Sequence, residues 1–284
     1  MTSGRLYDKI SSNHREVSTV NIDSVCDALS KTEYPPRRVC YFDLTDSTNR
    51  QARLSQKERD THEVRERASG IGEIFIAGGQ TAGRGRLDRT FVSVHGAGLY
   101  FTVKLKGDEV KHPEALTPTV AVAAAEAIES LTGTTVGIKW VNDLYLKGKK
   151  LSGILCESHI EKGERYYLIG IGINLKSTSR GALVDKIATD LEAEGLSTSA
   201  EALLAKTYER LIARLSESDP PTEEYRRRSI LKDRRVLVNE GEGREYYATA
   251  LGINEDFSLS VLTAPHEERR LTFGEVSLKI DNYN

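Results

Sequence analysis

Strand-like and helix-like segments alternate between residues 38 and 231, which predicts an α/β protein with a small all-β unit at its C-terminal end. Two observations carry that expectation. The interior holds short apolar runs of strand length interrupted by two long segments of helical periodicity, and the final stretch holds five short strand-like runs at turn-separated intervals, the pattern of a small barrel.

The polar residues 1–37 read as an N-terminal extension containing one amphipathic helix, Ile22 to Leu29, closed off by Pro35-Pro36. Val39 to Leu44 reads as the first strand, and Asp46-Ser47-Thr48-Asn49 as a helix start. Residues 54–69 are dense in charge and read as a solvated helix face or long loop. Strands follow at Glu73 to Ala77 and Gly98 to Leu105, then an alanine-rich helix from Glu114 to Leu131 with Gly133 as its C-cap. Val136 to Trp140, Leu151 to His159 and Tyr166 to Ile173 are three more strands, with a turn at Lys147-Gly148-Lys149-Lys150. Residues 176–190 read as a long loop, Ala200 to Leu215 as a second long helix, and Glu223 to Ile230 as its helical continuation. The terminal strands are Val236 to Val238, Tyr246 to Leu251, Leu259 to Leu262, Arg270 to Phe273 and Val276 to Ile280.

Hydrophobic and charged fractions of 38% and 29% place the 284-residue chain among ordinary globular proteins, and no apolar run approaches the ~20 residues of a membrane span. A formal charge of −2 gives no electrostatic reason to expect nucleic acid as a partner. Cys26, Cys40 and Cys156 are odd in number and far apart, so neither a disulfide framework nor a structural zinc site is expected, and a cytoplasmic location fits. Arg5, Lys9 and Arg15 among several Ser leave a mitochondrial presequence open, although Asp8 and Glu16 interrupt the basic pattern.

Four segments suggest chemistry. Gly78-Gly79-Gln80-Thr81-Ala82-Gly83-Arg84-Gly85-Arg86-Leu87-Asp88-Arg89 combines glycines, which let backbone amides approach a ligand, with arginines, whose planar forks suit phosphate or carboxylate. It is neither a P-loop nor a dinucleotide fingerprint, and taken alone it reads equally well as a basic hairpin or an RNA-binding arginine–glycine tract. On a continuous strand, Lys139-Trp140-Val141-Asn142-Asp143 would turn Lys139, Val141 and Asp143 to one face and Trp140 to the core. Lys150-Leu151-Ser152-Gly153-Ile154-Leu155 and Gly170-Ile171-Gly172-Ile173-Asn174 set glycine inside apolar strands, a mark of close approach by a ligand or another backbone.

These segments, together with Asp46-Ser47-Thr48-Asn49 before them and Gly274-Glu275-Val276-Ser277-Leu278 near the end, resemble the biotin protein ligases in order and spacing over roughly residues 40–280. The resemblance implies a mixed-sheet catalytic domain at 38–231 and an SH3-like barrel at 232–284. It further implies that biotin and Mg-ATP form biotinyl-adenylate, and that a lysine of a carboxylase's biotin carboxyl carrier domain then takes the biotin. A homodimer through the catalytic sheet stays open. By the same carry-over, Ser47, Thr48, Asn49, Gln80, Gly83, Gly85, Lys150, Gly153 and Leu155 bind biotin, with the hydroxyls and Gln80 on its polar head. Arg84, Arg86, Arg89, Lys139, Asn142, Asp143 and Asn174 meet ATP or the adenylate, and Lys139, Arg84 and Arg86 are catalytic; no protein-held metal is implied beyond the magnesium of ATP.

Departures from the family pattern fall in three places. Asp88-Arg89-Thr90-Phe91 stands where Gly-Arg-x-Trp is usual, and Val141 stands for a proline. Ile187 and Ala188 lie where an aromatic is sometimes found, which leaves adenine recognition unassigned. A lipoate ligase would carry Arg-Arg-x-Ser-Gly-Gly-Gly in place of Gln80 to Arg86. A biotin-sensing repressor would carry a winged-helix module, and the residues before Tyr41 show no tri-helical pattern or basic recognition helix.

Overall fold

A strand with large apolar side chains on one face and glycine or polar groups on the other needs a core on one side only, and the central sheet is built from such strands. The computed structural model describes residues 20–54, 63–87, 89–240, 244–265, 267–272 and 277–280. The chain opens with α1 (Ile22–Ser30), β1 (Arg38–Thr45), α2 (Thr48–Arg53), β2 (Glu63–Glu66), β3 (Glu73–Gln80) and β4 (Gly98–Lys106). It continues through α3 (Leu116–Thr132), β5 (Gly137–Lys139), β6 (Asp143–Leu146), β7 (Lys149–Glu161) and β8 (Glu164–Asn174). After α4 (Ala182–Asp185), α5 (Ala200–Ser216) and α6 (Thr222–Arg228) come β9 (Arg235–Asn239), β10 (Glu245–Ile253), β11 (Leu259–Thr263), β12 (Glu267–Leu271) and β13 (Ser277–Ile280).

The first eight strands form one sheet in the order β2-β1-β3-β4-β8-β7-β6-β5. β1 runs parallel to β3, and the other pairings are antiparallel, so the sheet is mixed as expected. Ile74, Ile76, Leu99, Phe101, Val103, Ile169, Ile171 and Ile173 join one buried core with residues of α1, α3 and α5. A smaller cluster of Cys40, Phe42, Ala52, Phe75 and Leu168 seats α2 on the opposite face. The alanines of α3 let that helix lie close, and Gly133 ends it in the left-handed conformation at φ +69°. The last five strands form a separate antiparallel sheet, β12-β11-β10-β9-β13, of the size an SH3-like unit requires.

Several elements differ from the sequence reading. The charged stretch at 54–69 holds the edge strand β2, whose polar residues carry no apolar alternation; residues 55–62 lie outside the described set. β12 begins earlier than read, because it pairs with β11 from Thr263↔Glu267 onward and four of its five residues are polar. The apolar face of α1 is not a free extension: Val20, Ile22, Val25 and Leu29 are buried in the main core, and Glu201 of α5 accepts from the Asn21 amide at 2.9 Å. Residues 1–19, Asp88 and the Gly274 to Val276 part of the C-terminal signature lie outside the described residues. Among the described residues no helix is long and apolar enough to cross a membrane.

Arg228 ties α3, α6 and the entry to β5 together. Its buried guanidinium pairs with Glu129 at 2.5 Å and with Glu224 at 2.8 Å. Burial disfavours the ionised form of Glu129, but Arg228 and the Val136 amide outweigh that and hold its carboxyl below the usual range. A carboxyl lowered by folding adds stability above its unfolded pKa, and loses it as pH falls through the folded value. Glu129→Gln should therefore cost about 2 kcal/mol at neutral pH, a gap that urea titrations should show closing in acid. A gap that persists unchanged in acid would contradict the pairing.

Candidate functional site

Glycine alternation clears space on one face of the sheet. In Gly170-Ile171-Gly172-Ile173 the isoleucines enter the core and the glycines face the other way, while β7 pairs Gly153 with Gly172 and Leu155 with Gly170. A methyl group at Gly172 would lie 2.5 Å from the Phe91 ring, and one at Gly153 would lie 3.0 Å from it. At Gly170 it would lie 2.3 Å from the Asn49 carboxamide oxygen. The close approach expected at these glycines is thus made by two side chains of this protein.

A cavity of about 290 Å³ opens on this floor. Its polar end is formed where α2 starts. Ser47 begins that helix without a side-chain cap bond, and Thr48 donates its amide to Gln80 Oε1 at 2.8 Å. Gln80 Nε2 in turn donates to Ser93 Oγ at 2.7 Å. Thr102, buried on β4, lies 2.8 Å from Thr48 Oγ1 and 2.6 Å from Asn49 Oδ1, so three elements fix these groups. Asn49 also donates to Glu157 at 2.9 Å, and Glu157 receives Arg53 at 2.9 Å and Arg84 at 3.3 Å. Glu157 is thus a hub that the sequence motifs do not contain.

The glycine–arginine segment folds back on itself as a hairpin, with bridges Gln80↔Ser93 and Arg84↔Thr90. Gly83 lies behind the cavity wall rather than on it, because a side chain there would collide with the Phe91 carbonyl at 2.3 Å. Every other residue proposed from sequence for biotin or nucleotide lines the cavity.

Opposite the hairpin, the Lys139 to Asp143 run departs from the strand expected of it. β5 stops at Lys139, residues 140–142 turn through a cis Trp140–Val141 peptide, and β6 starts at Asp143, which pairs back with Lys139. Lys139 and Asp143 are therefore neighbours across a tight hairpin. Asn142 is pinned to the main chain of Ile154, donating at 2.7 Å and accepting at 3.0 Å, and offers Oδ1 to Arg86 at 3.4 Å. Lys150 pairs with Asp143 at 2.7 Å. Lys139 Nζ lies 3.4 Å from the Tyr145 hydroxyl.

Electrostatics make this an anion site. Arg84, Arg86, Arg89, Lys139, Lys150 and Arg180 line the cavity, and Asp143 is the single carboxylate among the described residues of its lining. Burial lowers the Lys139 pKa; Asp143 opposes the shift, and Lys150 and Arg89 reinforce it. Burial likewise lowers that of Arg86, against Asp143 and Tyr225. An incoming anion would relieve this crowding of like charge.

Residues 176–190 form the remaining wall. α4 interrupts the expected loop, Val184, Ile187 and Ala188 face the cavity, and Lys150 bridges to Ala188. A buried ion pair, Arg180 to Asp190 at 3.2 Å, braces the segment, and Asn174 donates to Thr189 at 2.9 Å. Arg180 carries no sequence motif and was missed for that reason. Phe91, noticed from sequence as a departure, proves to be the ring resting on the glycine floor.

Known proteins resemble this chain in sequence and in fold. The profile of the Biotin/lipoate A/B protein ligase family matches residues 41–174. The Bifunctional ligase/repressor BirA of Bacillus subtilis (strain 168) is 36% identical over 147 residues, 51% of this chain and 42% of that protein. The Biotin--[acetyl-CoA-carboxylase] ligase of Mycobacterium tuberculosis is 28% identical over 203 residues, 65% of this chain and 71% of that protein. A solved structure of biotin protein ligase from Aquifex aeolicus in complex with biotin and ATP gives a TM-score of 0.68 at 26% identity, covering 86% of this chain and 99% of that one. The chain spans less than half the length of the bifunctional relatives it matches.

The glycine floor yields a direct test. Gly170→Ala forces a methyl group onto Asn49 and should destabilise the fold by about 1–3 kcal/mol, read as a lowered Tm. An unchanged Tm would show that the Asn49–Thr102 contact is not held as described.

Proposed function

We propose that this chain is an ATP-dependent, AMP-forming biotin protein ligase, a reading supported by the match of residues 41–174 to the Biotin/lipoate A/B protein ligase family. The observation that carries the reading is the cavity itself: a neutral hydrogen-bonding end at Ser47, Thr48 and Gln80 joined by a glycine floor to an arc of six cations. A substrate with a polar uncharged head, an apolar middle and a carboxylate tail matches that sequence of surfaces, and biotin is such a molecule. The Aquifex aeolicus ligase, solved with biotin and ATP, supports the assignment. A lipoate ligase is the runner-up, and the Gln80 to Arg86 hairpin does not carry the loop expected of one.

In the proposed reaction a carboxylate oxygen of biotin attacks the α-phosphorus of Mg-ATP, and the bond to the bridging oxygen breaks to release pyrophosphate. Carboxylate and triphosphate repel each other, so fixed cations lower the barrier most where charge accumulates. Lys139 and Arg86, both largely withdrawn from water, take that position, while Arg84 and Arg89 hold the phosphates from the hairpin side. Lys150 meets the biotin carboxylate, with Asp143 orienting its ammonium. Gly153, Leu155 and Gly85 edge the biotin channel, with Asn49 behind Thr48, and Asn142 and Asn174 face the adenylate. Magnesium arrives as part of the nucleotide substrate, its ligands completed by phosphate and water. In the second step the neutral amine of a carrier-domain lysine attacks the acyl carbon and expels AMP. The carrier is proposed to be the biotin carboxyl carrier domain of a carboxylase. Residues 38–231 are proposed as the catalytic domain and 232–284 as the appended SH3-like one.

Biotin-dependent exchange of labelled pyrophosphate into ATP tests the first step. Lys139→Ala should reduce exchange by at least about 10²-fold, and exchange at the unmodified rate would refute its role. Arg86→Gly should loosen the hairpin over the intermediate and release biotinyl-adenylate into solution, so that bystander lysines become labelled. Labelling confined to the carrier would contradict the assignment of Arg86.

A further inference from the structure

The turn carrying Lys139, Asn142 and Asp143 is held from outside the central sheet. Trp140, only 5% exposed, donates its indole N–H to the Phe257 carbonyl in the turn between β10 and β11, at 2.7 Å. Tyr225 of α6 donates its hydroxyl to the Val141 carbonyl at 3.1 Å. The Tyr225 and Phe257 rings meet edge to face, with centroids 5.5 Å apart and planes at 89°. These contacts span one short turn: both residues between Lys139 and Asn142 are gripped by groups distant in sequence.

The gripping elements are themselves fixed. Phe257 sits at φ +61° in a tight turn where its amide donates to the Asn254 carbonyl at 3.0 Å and the Asn254 amide donates to the Ser258 carbonyl at 2.9 Å. Arg226 ties α6 to the same region, donating to the Ile253 carbonyl and to Glu255, each at 2.8 Å. From the Phe257 carbonyl to Lys139 the chain of contact is therefore one hydrogen bond and one peptide.

We propose that the β10–β11 turn of the C-terminal sheet and α6 together form a positioning brace for the reaction: Phe257 and Tyr225 hold the Trp140–Val141 turn so that Lys139 and Asn142 stay aligned across the cavity. The proposal rests on the ligase reading above for its chemistry, and on the turn contacts alone for its mechanics. A cation displaced by about 1 Å from the reacting atoms forfeits on the order of 10²-fold in rate, so a brace of this kind has catalytic leverage without touching substrate.

Trp140 is the only tryptophan in the chain, so its fluorescence reports on the turn directly. Phe257→Gly is suited to the test because glycine accepts the positive φ and keeps the carbonyl that Trp140 binds while removing the side chain. Tyr225→Phe removes only the hydroxyl. In the full-length protein both variants should red-shift Trp140 emission and raise its quenching by acrylamide. Both should slow biotin-dependent pyrophosphate exchange by about 10-fold to 10²-fold through kcat, with biotin affinity unchanged. Val261→Ala, in the buried core of the C-terminal sheet, serves as the control for lost stability and should lower Tm without either effect. Unshifted emission in both variants overturns the brace, as does a shift with full exchange activity, or a Val261→Ala variant that loses exchange equally. Absence of exchange in the unmodified chain would overturn the ligase reading instead, and the emission shift would still decide the mechanical claim.

Discussion

Everything at the site depends on a face of the sheet from which side chains have been removed. Gly153, Gly170 and Gly172 are cross-strand neighbours of one another or of Leu155, and the isoleucines between them anchor the same strands in the core. Bare backbone lets Phe91 and Asn49 descend onto the sheet, and those two residues set the depth of the cavity. The cations then enter from the rims: arginines from a hairpin on one side, Lys139 and Lys150 from the β5–β6–β7 edge on the other. An anionic substrate placed on the floor meets charge from both directions.

The parts legible in sequence were those written in local patterns. Glycine set inside the apolar run of β8 announced a strand that something approaches closely, and the alanine-rich repeat closing at Gly133 announced α3. The site residues were legible through a family resemblance more than through chemistry, since the glycine–arginine run by itself fitted a basic hairpin equally well. A hairpin is what it forms, and its neighbours across the sheet make it one wall of a cavity.

What stayed hidden depended on contacts between distant residues. Lys139 to Asp143 looked like a strand with alternating faces, and only the pairing of β6 back onto β5 makes Lys139 and Asp143 neighbours. Glu157 gathers Arg53, Arg84 and Asn49, and Arg228 gathers Glu129 and Glu224, through pairings no local spacing encodes. β2 and β12 are edge strands made mostly of charged residues, which lack the alternation that identifies a strand while suiting an unpaired edge. Phe257 gave no local signal at all, because its importance lies in what its carbonyl and ring reach.

Through the proposed brace the C-terminal sheet and α6 acquire a place in the site although none of their described residues lines the cavity, and Tyr225 acts on Arg86 through its field. Substrate choice decides the ligase reading, and calorimetric titration of the purified chain with biotin, lipoate and octanoate measures it. Saturable heat is expected with biotin and none with the other two acids. No heat with biotin, or binding of lipoate or octanoate in its place, would contradict that reading.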